Sequence, residues 1–526
     1  MEKWFIRKMR TFTILPPKTG GSKRGVETPT LQPSPTLSQT LGEEFGVPLG
    51  FKNTQKSNES KKNFRFPYFI SMLLIFAASA ASFAADPPTA DNTFQVTLSP
   101  PPQADRLLPD SPFGINTAFQ PDTPDLDARL QAMQNAGIKW GRQDFIWKRI
   151  EKEKGKYDFA PYEKLVETCR RYGILLFGNL VYAPAFHDPR TPEGVEAYCA
   201  FAREAVKRFA GKVDYWQIWN EPNSGYWNGK PEEYARLLAA AGKTIHKTNP
   251  NAKVLGFNTA FCDVLWAEKI LSLVPYDCFD IACFHPYRPP SAPEDSFDWW
   301  ELDQYVKSWH KYDLTSDYPL VHKTFLQQTD ELESVMAKFG KPKPMWITEI
   351  CWNSHIHPYG TSELRQADMV VRFYLLATAS RKIEKVFWWT LKDAGARQFD
   401  QADMVGLMRN DLQPKYAYYA YGWMTRLLSG KQWARNDAFG PDIYAVLFTD
   451  EAEHQDCIVA WANKPFAYIK VNNESSLTFY DIFGTRRRVP MDPVRTKSLS
   501  VPLGESPIYI VGPRGLKAAV RPDPGW

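Results

Sequence analysis

The sequence predicts an α/β protein: a (β/α)8 TIM barrel followed by a C-terminal antiparallel β-sandwich domain. Between residues 111 and 428, eight short apolar runs alternate with segments of helical periodicity, which is the pattern of parallel strands joined by helical crossovers. After Leu428 the pattern changes to short alternating runs separated by turn residues. Eight strand–helix units over this length fit a closed barrel. A doubly wound open sheet is the alternative, but no GxGxxG motif follows the first apolar run.

The eight apolar runs are the candidate barrel strands. They lie at 113–116, 137–145, 173–182, 214–221, 253–258, 280–287, 345–350 and 385–391. The segments between them carry helix-start signals. The segment 191–210 opens with Thr191 and Pro192, which suit an N-cap and a first helical position, and it has Glu193 in its first turn. We therefore expect helical crossovers between successive strands.

The second predicted domain is a small β-sandwich at 429–514, followed by a tail at 515–526. Its runs, such as "DIYAVLFTD" and "QDCIVAWAN", are short and bounded by turn residues, which is typical of antiparallel strands. The simpler role for such a domain is to cover a flank of the barrel and add stability. Direct ligand binding is the alternative.

Charge and composition exclude one class of partner. The chain has 526 residues, of which 44% are hydrophobic and 14% aromatic, enough for a large core and a second domain. Its net charge of +5 comes from the first 65 residues, which hold 12 basic and 5 acidic side chains. The remaining residues hold 52 basic and 54 acidic side chains. Since the body is close to neutral, we expect no nucleic-acid partner.

The basic leader, 1–64, precedes a segment at 65–85 that is arranged like a secretory signal peptide. An apolar run at 66–76 follows basic residues, and small residues follow it, which predicts cleavage after Ala84 or Ala85. An uncleaved anchor is the alternative, because the run extended through the alanines approaches the ~20 residues of a membrane span. We expect a secreted or periplasmic protein, without stable membrane association if the signal is cleaved. A linker or N-terminal strand at 86–110 would follow.

Cysteine and histidine spacing gives no sign of a metal or cofactor. The seven cysteines lack CxxC spacing, and an odd number leaves at least one unpaired within the chain, so buried free thiols are the expected state for most. No HExxH, P-loop or GxSxG motif occurs, and His355 and His357 lack a nearby acidic partner. We expect neither a metal nor an organic cofactor.

Two glutamates stand at the ends of predicted strands. Glu221 ends the fourth run and Glu349 lies near the end of the seventh; Pro222 terminates the fourth ladder because proline has no N–H to donate. Catalytic groups of such barrels lie where the strands end at the C-terminal face. A pair of facing carboxylates is what cleavage of a glycosidic bond requires, one as proton donor and one as nucleophile or base.

Further polar and aromatic residues at strand ends complete a candidate site. Trp216, Trp219 and Trp227 flank Glu221 in sequence, and partial desolvation there would favour its neutral form. Arg142 is the candidate cation beside Glu349. The other candidates lie on the fourth, sixth and eighth strands: Asn220, His285, Tyr287 and Trp389.

The motifs "WNEPN" (219–223), "FHPY" (284–287), "WITEI" (346–350) and "FWWTLKD" (387–393) resemble clan A of the retaining glycoside hydrolases. The resemblance is strongest to family 39, the β-xylosidase-like enzymes, and to related bacterial exopolysaccharide hydrolases. It covers roughly residues 113–512. It differs at Phe186, where such enzymes often carry tryptophan, and the eighth strand offers both Trp388 and Trp389, of which the spacing to Asp393 favours Trp389.

The resemblance implies a secreted O-glycoside hydrolase that cleaves β-glycosidic bonds of a polysaccharide or oligosaccharide by double displacement. It implies Glu221 as the acid/base and Glu349 as the nucleophile. Asn220 would contact the sugar 2-hydroxyl, Arg142 and Tyr287 would hold Glu349, and Trp389 would form the floor under the bound sugar. Apart from the resemblance, their positions predict that His285 bonds a substrate hydroxyl or positions Glu221, and that Trp227 contacts the substrate. A non-catalytic carbohydrate-binding protein and a transglycosylase are the alternatives.

Overall fold

The computed structural model describes residues 98–100, 106–296, 323–357, 360–464, 467–472, 477–488 and 498–520. The predicted leader, the predicted signal segment and most of the predicted linker lie outside the described residues, so those expectations remain predictions.

Eight parallel strands close into a barrel, as the sequence predicts. Their order around the barrel is β1, β2, β5, β6, β7, β8, β9 and β10, and β10 pairs back onto β1. The bounds are β1 Phe113–Asn116, β2 Trp140–Ile146, β5 Leu175–Val181, β6 Tyr215–Ile218, β7 Lys253–Ala260, β8 Ile281–His285, β9 Met345–Ile350 and β10 Ile383–Trp388. A small hairpin of β3 Glu151–Glu153 and β4 Lys156–Tyr157 follows β2.

Helices follow the barrel strands, and several begin at side-chain caps. Within the described ranges they are α1 Leu126–Asn135, α2 Trp147–Ile150, α3 Ala160–Arg171, α4 Pro192–Phe209, α5 Pro231–Thr248, α6 Val264–Leu271, α7 Phe325–Ala337, α8 Glu363–Ser380 and α9 Tyr416–Leu428. The predicted cap of α4 is present, since Thr191 Oγ1 accepts a hydrogen bond from the Gly194 N–H at 3.1 Å. A cap of this kind satisfies one of the otherwise unpaired N–H groups of the first turn.

The N-terminal half of the barrel interior is filled with apolar side chains, and the polar side chains of the candidate site lie toward the C-terminal ends of the strands. The interior cluster contains Trp140, Phe177, Leu255, Ile281, Cys283, Trp346 and Phe387. Below it, Lys385 closes the N-terminal end: its ammonium group donates to the carbonyls of Pro109 (2.6 Å) and Ser111 (3.1 Å). Because strand residues alternate between the two faces, inward-pointing residues above this layer project into the C-terminal mouth.

The predicted β-sandwich is confirmed as two antiparallel sheets. One has the order β11, β12, β13, β18, β15, β16 and the other β17, β14, β19. Their bounds are β11 Gln432–Phe439, β12 Ile443–Asp450, β13 Gln455–Ala462, β14 Ala467–Asn472, β15 Thr478–Tyr480, β16 Arg486–Arg487, β17 Ser498–Leu503, β18 Ile508–Pro513 and β19 Ala518–Val520. The sandwich extends past the predicted boundary at 514, because β19 pairs with β14.

Strand alternation explains how the sandwich joins the barrel. On β12, Ala445 and Leu447 face the core between the two sheets, whereas Tyr444, Val446 and Phe448 belong to the large core shared with the barrel. The same sheet is therefore buried on both faces, and its strands are correspondingly apolar.

All seven cysteines are buried and unpaired, as expected for most of them. Across the described ranges, the helices are too short or too polar for any of them to traverse a bilayer.

Candidate active site

The two predicted glutamates project into one cleft at the C-terminal end of the barrel. A carboxylate oxygen of Glu221, a carboxylate oxygen of Glu349 and a ring nitrogen of His285 all lie within 4.8 Å of one another. All three side chains are buried. Side chains from β8, from β9 and from the turn after β6 therefore meet at a single point.

Glu221 lies on an irregular turn rather than at the last position of its strand. The sequence predicts a strand to residue 221, but β6 ends at Ile218, and Trp219 and Glu221 have positive φ angles of 65° and 42°. The carbonyl of Glu221 accepts hydrogen bonds from the N–H (3.0 Å) and the hydroxyl (2.8 Å) of Ser224, which holds the turn. Non-glycine residues rarely adopt this conformation, and where they do they are concentrated at functional sites.

Glu349 receives one donor on each oxygen. Arg142 Nη1 lies 2.6 Å from its Oε1, and the Tyr287 hydroxyl donates to its Oε2 at 2.8 Å. Burial raises the pKa of Tyr287 well above its ordinary value, and the neighbouring Glu349 carboxylate raises it further, so the phenol stays protonated and able to donate. The arrangement favours an ionised Glu349.

The Arg142 guanidinium connects Glu349 to the rest of the site. Its Nη2 donates to Asn220 Oδ1 at 2.6 Å and its Nε to Gln217 Oε1 at 3.2 Å. Burial alone would lower the pKa of Arg142, but the carboxylates of Glu349 and Asp144 outweigh it, so that this pKa is raised. Arg142 is therefore a permanent cation beside Glu349, as the sequence predicts.

His285 bonds the other glutamate and is neutral. Its Nδ1 lies 2.8 Å from Glu221 Oε1 and its Nε2 lies 2.9 Å from Thr348 Oγ1. Burial lowers the pKa of His285 to about 3; the Glu349 carboxylate opposes this shift and Arg142 adds to it. At neutral pH the two glutamates thus have different partners, a cation and a phenol for Glu349 and an uncharged imidazole for Glu221.

Trp388 and Trp389 differ in burial at the end of the eighth strand. Trp388 is fully buried, stacks on Trp352 and donates its indole N–H to the Val405 carbonyl at 3.2 Å. Trp389 follows the last residue of β10 and is half-buried, and its backbone N–H donates to the Ile350 carbonyl at 2.8 Å. The greater exposure of Trp389 agrees with the predicted choice of this residue, and its place beside the substrate stays a prediction.

Two of the tryptophans near Glu221 belong to the packing around the barrel. Trp227 is 4% exposed, packs edge-on against Trp219 and Tyr234, and directs its indole N–H to the Lys230 carbonyl. Trp216 contacts the outer core. None of these contacts joins Trp227 to the glutamates, so its predicted role in substrate binding receives no support. Phe186, by contrast, is 44% exposed on the loop after β5.

Sequence analysis missed a set of inward-facing polar residues: Asp144, Asn179, Gln217 and Thr348. Asn179 Nδ2 donates to Asp144 Oδ1 at 2.8 Å, and Gln217 Nε2 donates to Asn179 Oδ1 at 2.9 Å. Asp144 on β2 pairs in register with Asn179 on β5, and Asn179 pairs in register with Gln217 on β6. Counting every second residue from Trp140 would have found Asp144, two positions after Arg142.

Among the described residues, one group of His, Cys, Asp and Glu side chains is close enough together to hold a metal ion, namely Glu221, His285 and Glu349. Its ligand atoms already have partners in the protein, namely Arg142, Tyr287 and the hydrogen bond between His285 and Glu221. His355 and His357 stack on one another and lie outside it. The expectation of metal-free chemistry stays a prediction.

Solved structures with this fold include several glycoside hydrolases. A family 39 glycoside hydrolase from the gut symbiont Bacteroides cellulosilyticus WH2 matches with a TM-score of 0.64 and 23% identity, over 78% of this chain and 81% of that one. A monomeric β-xylosidase from Caulobacter crescentus CB15 matches with a TM-score of 0.53 and 15% identity, over 80% and 97% of the chains. A family 30 subfamily 8 xylanase from Clostridium acetobutylicum gives 0.51 and 16%, over 76% and 95%.

The chain has the fold of these glycoside hydrolases. The predicted resemblance to family 39 is thereby confirmed at the level of the fold. No protein-family model matches the chain. A curated protein, the β-glucosidase-like SFR2 of chloroplasts from Oryza sativa subsp. japonica, is 27% identical over 128 residues, which is 20% of this chain. The chain spans only 20% of that relative's length.

Proposed function

We propose that the protein is a retaining glycoside hydrolase that cleaves β-glycosidic bonds of a polysaccharide or oligosaccharide. The observation that carries the proposal is the pair of carboxylates, with oxygens within 4.8 Å of each other and with contrasting partners. Retaining enzymes hold their two carboxyl groups about 5–5.5 Å apart, whereas inverting enzymes need about 6.5–9.5 Å to admit a water molecule. The short separation favours double displacement.

The environments of the two glutamates assign their roles. Glu349 lies between Arg142 and the Tyr287 hydroxyl, which favour the ionised form that a nucleophile needs. Glu221 is bonded by neutral His285, which supplies no full positive charge to hold it ionised. Glu221 is accordingly the acid/base.

The reaction then proceeds in two steps. Glu349 attacks the anomeric carbon while Glu221 gives its proton to the departing glycosidic oxygen, which leaves a covalent glycosyl–enzyme. Water attacks the same carbon, Glu221 takes the water's proton, and Glu349 departs as a carboxylate, so the sugar leaves with its original configuration. The Asn220 amide, whose oxygen accepts from Arg142, would donate to the 2-hydroxyl. Trp389 would lie under the sugar ring.

The similar structures agree with this class of reaction without fixing the sugar, since their names include both a β-xylosidase and a xylanase. If residues 65–85 act as a signal peptide, the enzyme works outside the cytoplasm.

Covalent trapping tests the proposal. Dinitrophenyl 2-deoxy-2-fluoro-β-glycosides form the intermediate readily and release it slowly, so mass spectrometry should find one fluoroglycosyl group on the peptide that contains Glu349. The Glu349→Gln variant should remain unlabelled and inactive while its thermal unfolding stays close to that of the wild type. Binding of oligosaccharide without labelling or turnover would favour the non-catalytic alternative. A first-formed product of inverted configuration in NMR would rule out double displacement.

A further inference from the structure

We propose that Asp144 is a further substrate-binding residue, whose open carboxylate oxygen accepts a hydrogen bond from a hydroxyl group of the sugar that is cleaved off. We infer that the cleft consequently takes an uncharged sugar rather than a uronic acid. The inference rests on the proposed glycosidase function and deepens it by naming the class of substrate.

Asp144 lies on the inward face of β2, one alternation beyond Arg142. Trp140, Arg142 and Asp144 share that face, with Trp140 in the apolar layer and Arg142 only 1% exposed. Asp144 is the first of the three that is partly exposed. The strand therefore delivers its carboxyl group to the level at which the cleft opens.

One oxygen of Asp144 is fixed and the other is open. Oδ1 accepts from Asn179 Nδ2 at 2.8 Å, and Asn179 is oriented in turn by Gln217. No partner of Oδ2 is present among the described residues, and this oxygen is not among the buried atoms that lack one, so part of its surface is exposed. A carboxylate that is held on one side and open on the other is preorganised to accept a hydroxyl.

Asp144 is joined to Glu349 through a short path of hydrogen bonds. Asn179 donates to Asp144, Gln217 donates to Asn179, and Gln217 accepts from Arg142, which in turn donates to Glu349. Asp144 also lies one alternation beyond Arg142 on the same face of β2. We infer that a sugar held at the glutamates comes within reach of Asp144.

The charge of the cleft favours a neutral sugar. Each nitrogen of the buried Arg142 guanidinium already donates within the protein, to Gln217, Glu349 and Asn220. The carboxylate of a uronic acid would therefore meet Glu349 and the acidic side chain of Asp144, without a guanidinium nitrogen that is free of other partners. Burial raises the pKa of Asp144 against the opposing effects of the Arg142 guanidinium and the Asn179 amide, so this position already disfavours negative charge. Like charges at short range in a partly buried cleft repel strongly.

A double-mutant cycle between enzyme and substrate tests the hydroxyl contact. kcat/KM is measured for an accepted 4-nitrophenyl β-glycoside and its 3-, 4- and 6-deoxy analogues, with the wild type and with Asp144→Ala. In the wild type, loss of the contacted hydroxyl should lower kcat/KM by about 10- to 100-fold, the worth of a hydrogen bond to a charged acceptor. In Asp144→Ala that particular loss should fall to about twofold, while the losses at the other positions stay as they were.

Each ratio compares two substrates on one enzyme preparation, so a misfolded fraction cancels. If Asp144→Ala does not fold, Asp144→Asn replaces it, since the amide oxygen can keep the bond from Asn179. The matched control is Asp127→Ala, an exposed aspartate on α1 whose described partner is the Tyr172 hydroxyl at 3.0 Å. It should reproduce every wild-type ratio.

The outcomes separate the two proposals. Identical ratios in the wild type and the Asp144 variants at every position overturn the role of Asp144 and leave the glycosidase proposal standing. A wild type that hydrolyses 4-nitrophenyl β-glucuronide as efficiently as the best neutral glycoside overturns the substrate class. Absence of turnover and labelling on every glycoside overturns the proposed function and this inference with it.

Discussion

Removal of the Tyr287 hydroxyl deletes one of the two donors that hold Glu349. Tyr287→Phe leaves the ring in place and removes the 2.8 Å hydrogen bond to Oε2, while Arg142 keeps its 2.6 Å contact with Oε1. A hydrogen bond to a charged group contributes about 1.5–3 kcal/mol. Because this bond orients the attacking carboxylate, its loss should lower kcat/KM by about 10- to 100-fold, at about 1.4 kcal/mol per factor of ten.

The assay is kcat/KM for an aryl glycoside, measured for both enzymes at the pH optimum of the wild type. The matched control is Tyr418→Phe, which also removes a buried hydroxyl and its hydrogen bond to the Ala132 carbonyl, 3.0 Å long and between two helices. The control should keep kcat/KM within about twofold of the wild type. If Tyr287→Phe also kept the wild-type kcat/KM, the phenol would not be positioning the nucleophile, and the reasoning from this contact would be refuted.

Three further expectations concern the acid/base, the domain junction and the dependence of stability on pH. Glu221→Ala should retain turnover only of aryl glycosides with good leaving groups, and azide should restore part of the rate by replacing the missing base; no rescue by azide would count against the assignment. Glu294→Gln removes the charge from a buried pair with Arg372 (2.6 Å), so denaturant unfolding should show a loss of about 3–5 kcal/mol, whereas Glu163→Gln, in an exposed pair with Arg208, should lose under about 1 kcal/mol. His285 has a pKa of about 3 in the folded state against 6.5 in the unfolded chain, so the unfolded chain binds more protons between these pH values. The free energy of unfolding should therefore fall as the pH drops through that window, by at most about 1.4 kcal/mol per pH unit. A His285→Gln variant whose free energy of unfolding falls with the same slope as that of the wild type would contradict this.

The barrel was predictable because each of its strands is marked in the sequence by a short run of apolar residues. The runs at 113–116 and 345–350 coincide with β1 and β9 residue for residue. The fourth strand was overextended by three residues, since apolar and aromatic side chains continue to Trp219 after the ladder ends at Ile218. Positive φ angles at Trp219 and Glu221 occur in a turn that is also held by a tertiary contact, the 3.3 Å hydrogen bond from the Asn258 amide to the Trp219 carbonyl, which local propensity does not indicate.

The candidate site was predictable where charged or polar residues lie at the ends of apolar strands. It was not predictable where polar residues lie within the strands. Glu221, His285 and Glu349 interrupt otherwise apolar segments and are conspicuous for that reason. Asn179 and Gln217 lie inside their strands, where a search for apolar periodicity passes over them, and their use becomes apparent only from the register that aligns them with Asp144. The packing of Trp216 and Trp227 against other aromatic rings was not predictable, because proximity in sequence does not tell which side of an irregular turn a ring takes.

A single hydrogen-bonded network holds both the nucleophile and the proposed sugar-binding acid. Arg142 bonds Glu349 directly, and through Gln217 and Asn179 it also orients Asp144. Substitutions along this path share partners, so their effects on catalysis should not add: removal of Gln217 would disturb both the guanidinium and the amide of Asn179. An effect of Asp144→Ala on kcat/KM therefore cannot by itself separate a lost sugar contact from a displaced Arg142. The deoxy-sugar cycle separates them, because a displaced Arg142 would slow the parent glycoside and all its analogues alike, whereas a lost contact cancels the penalty at one hydroxyl.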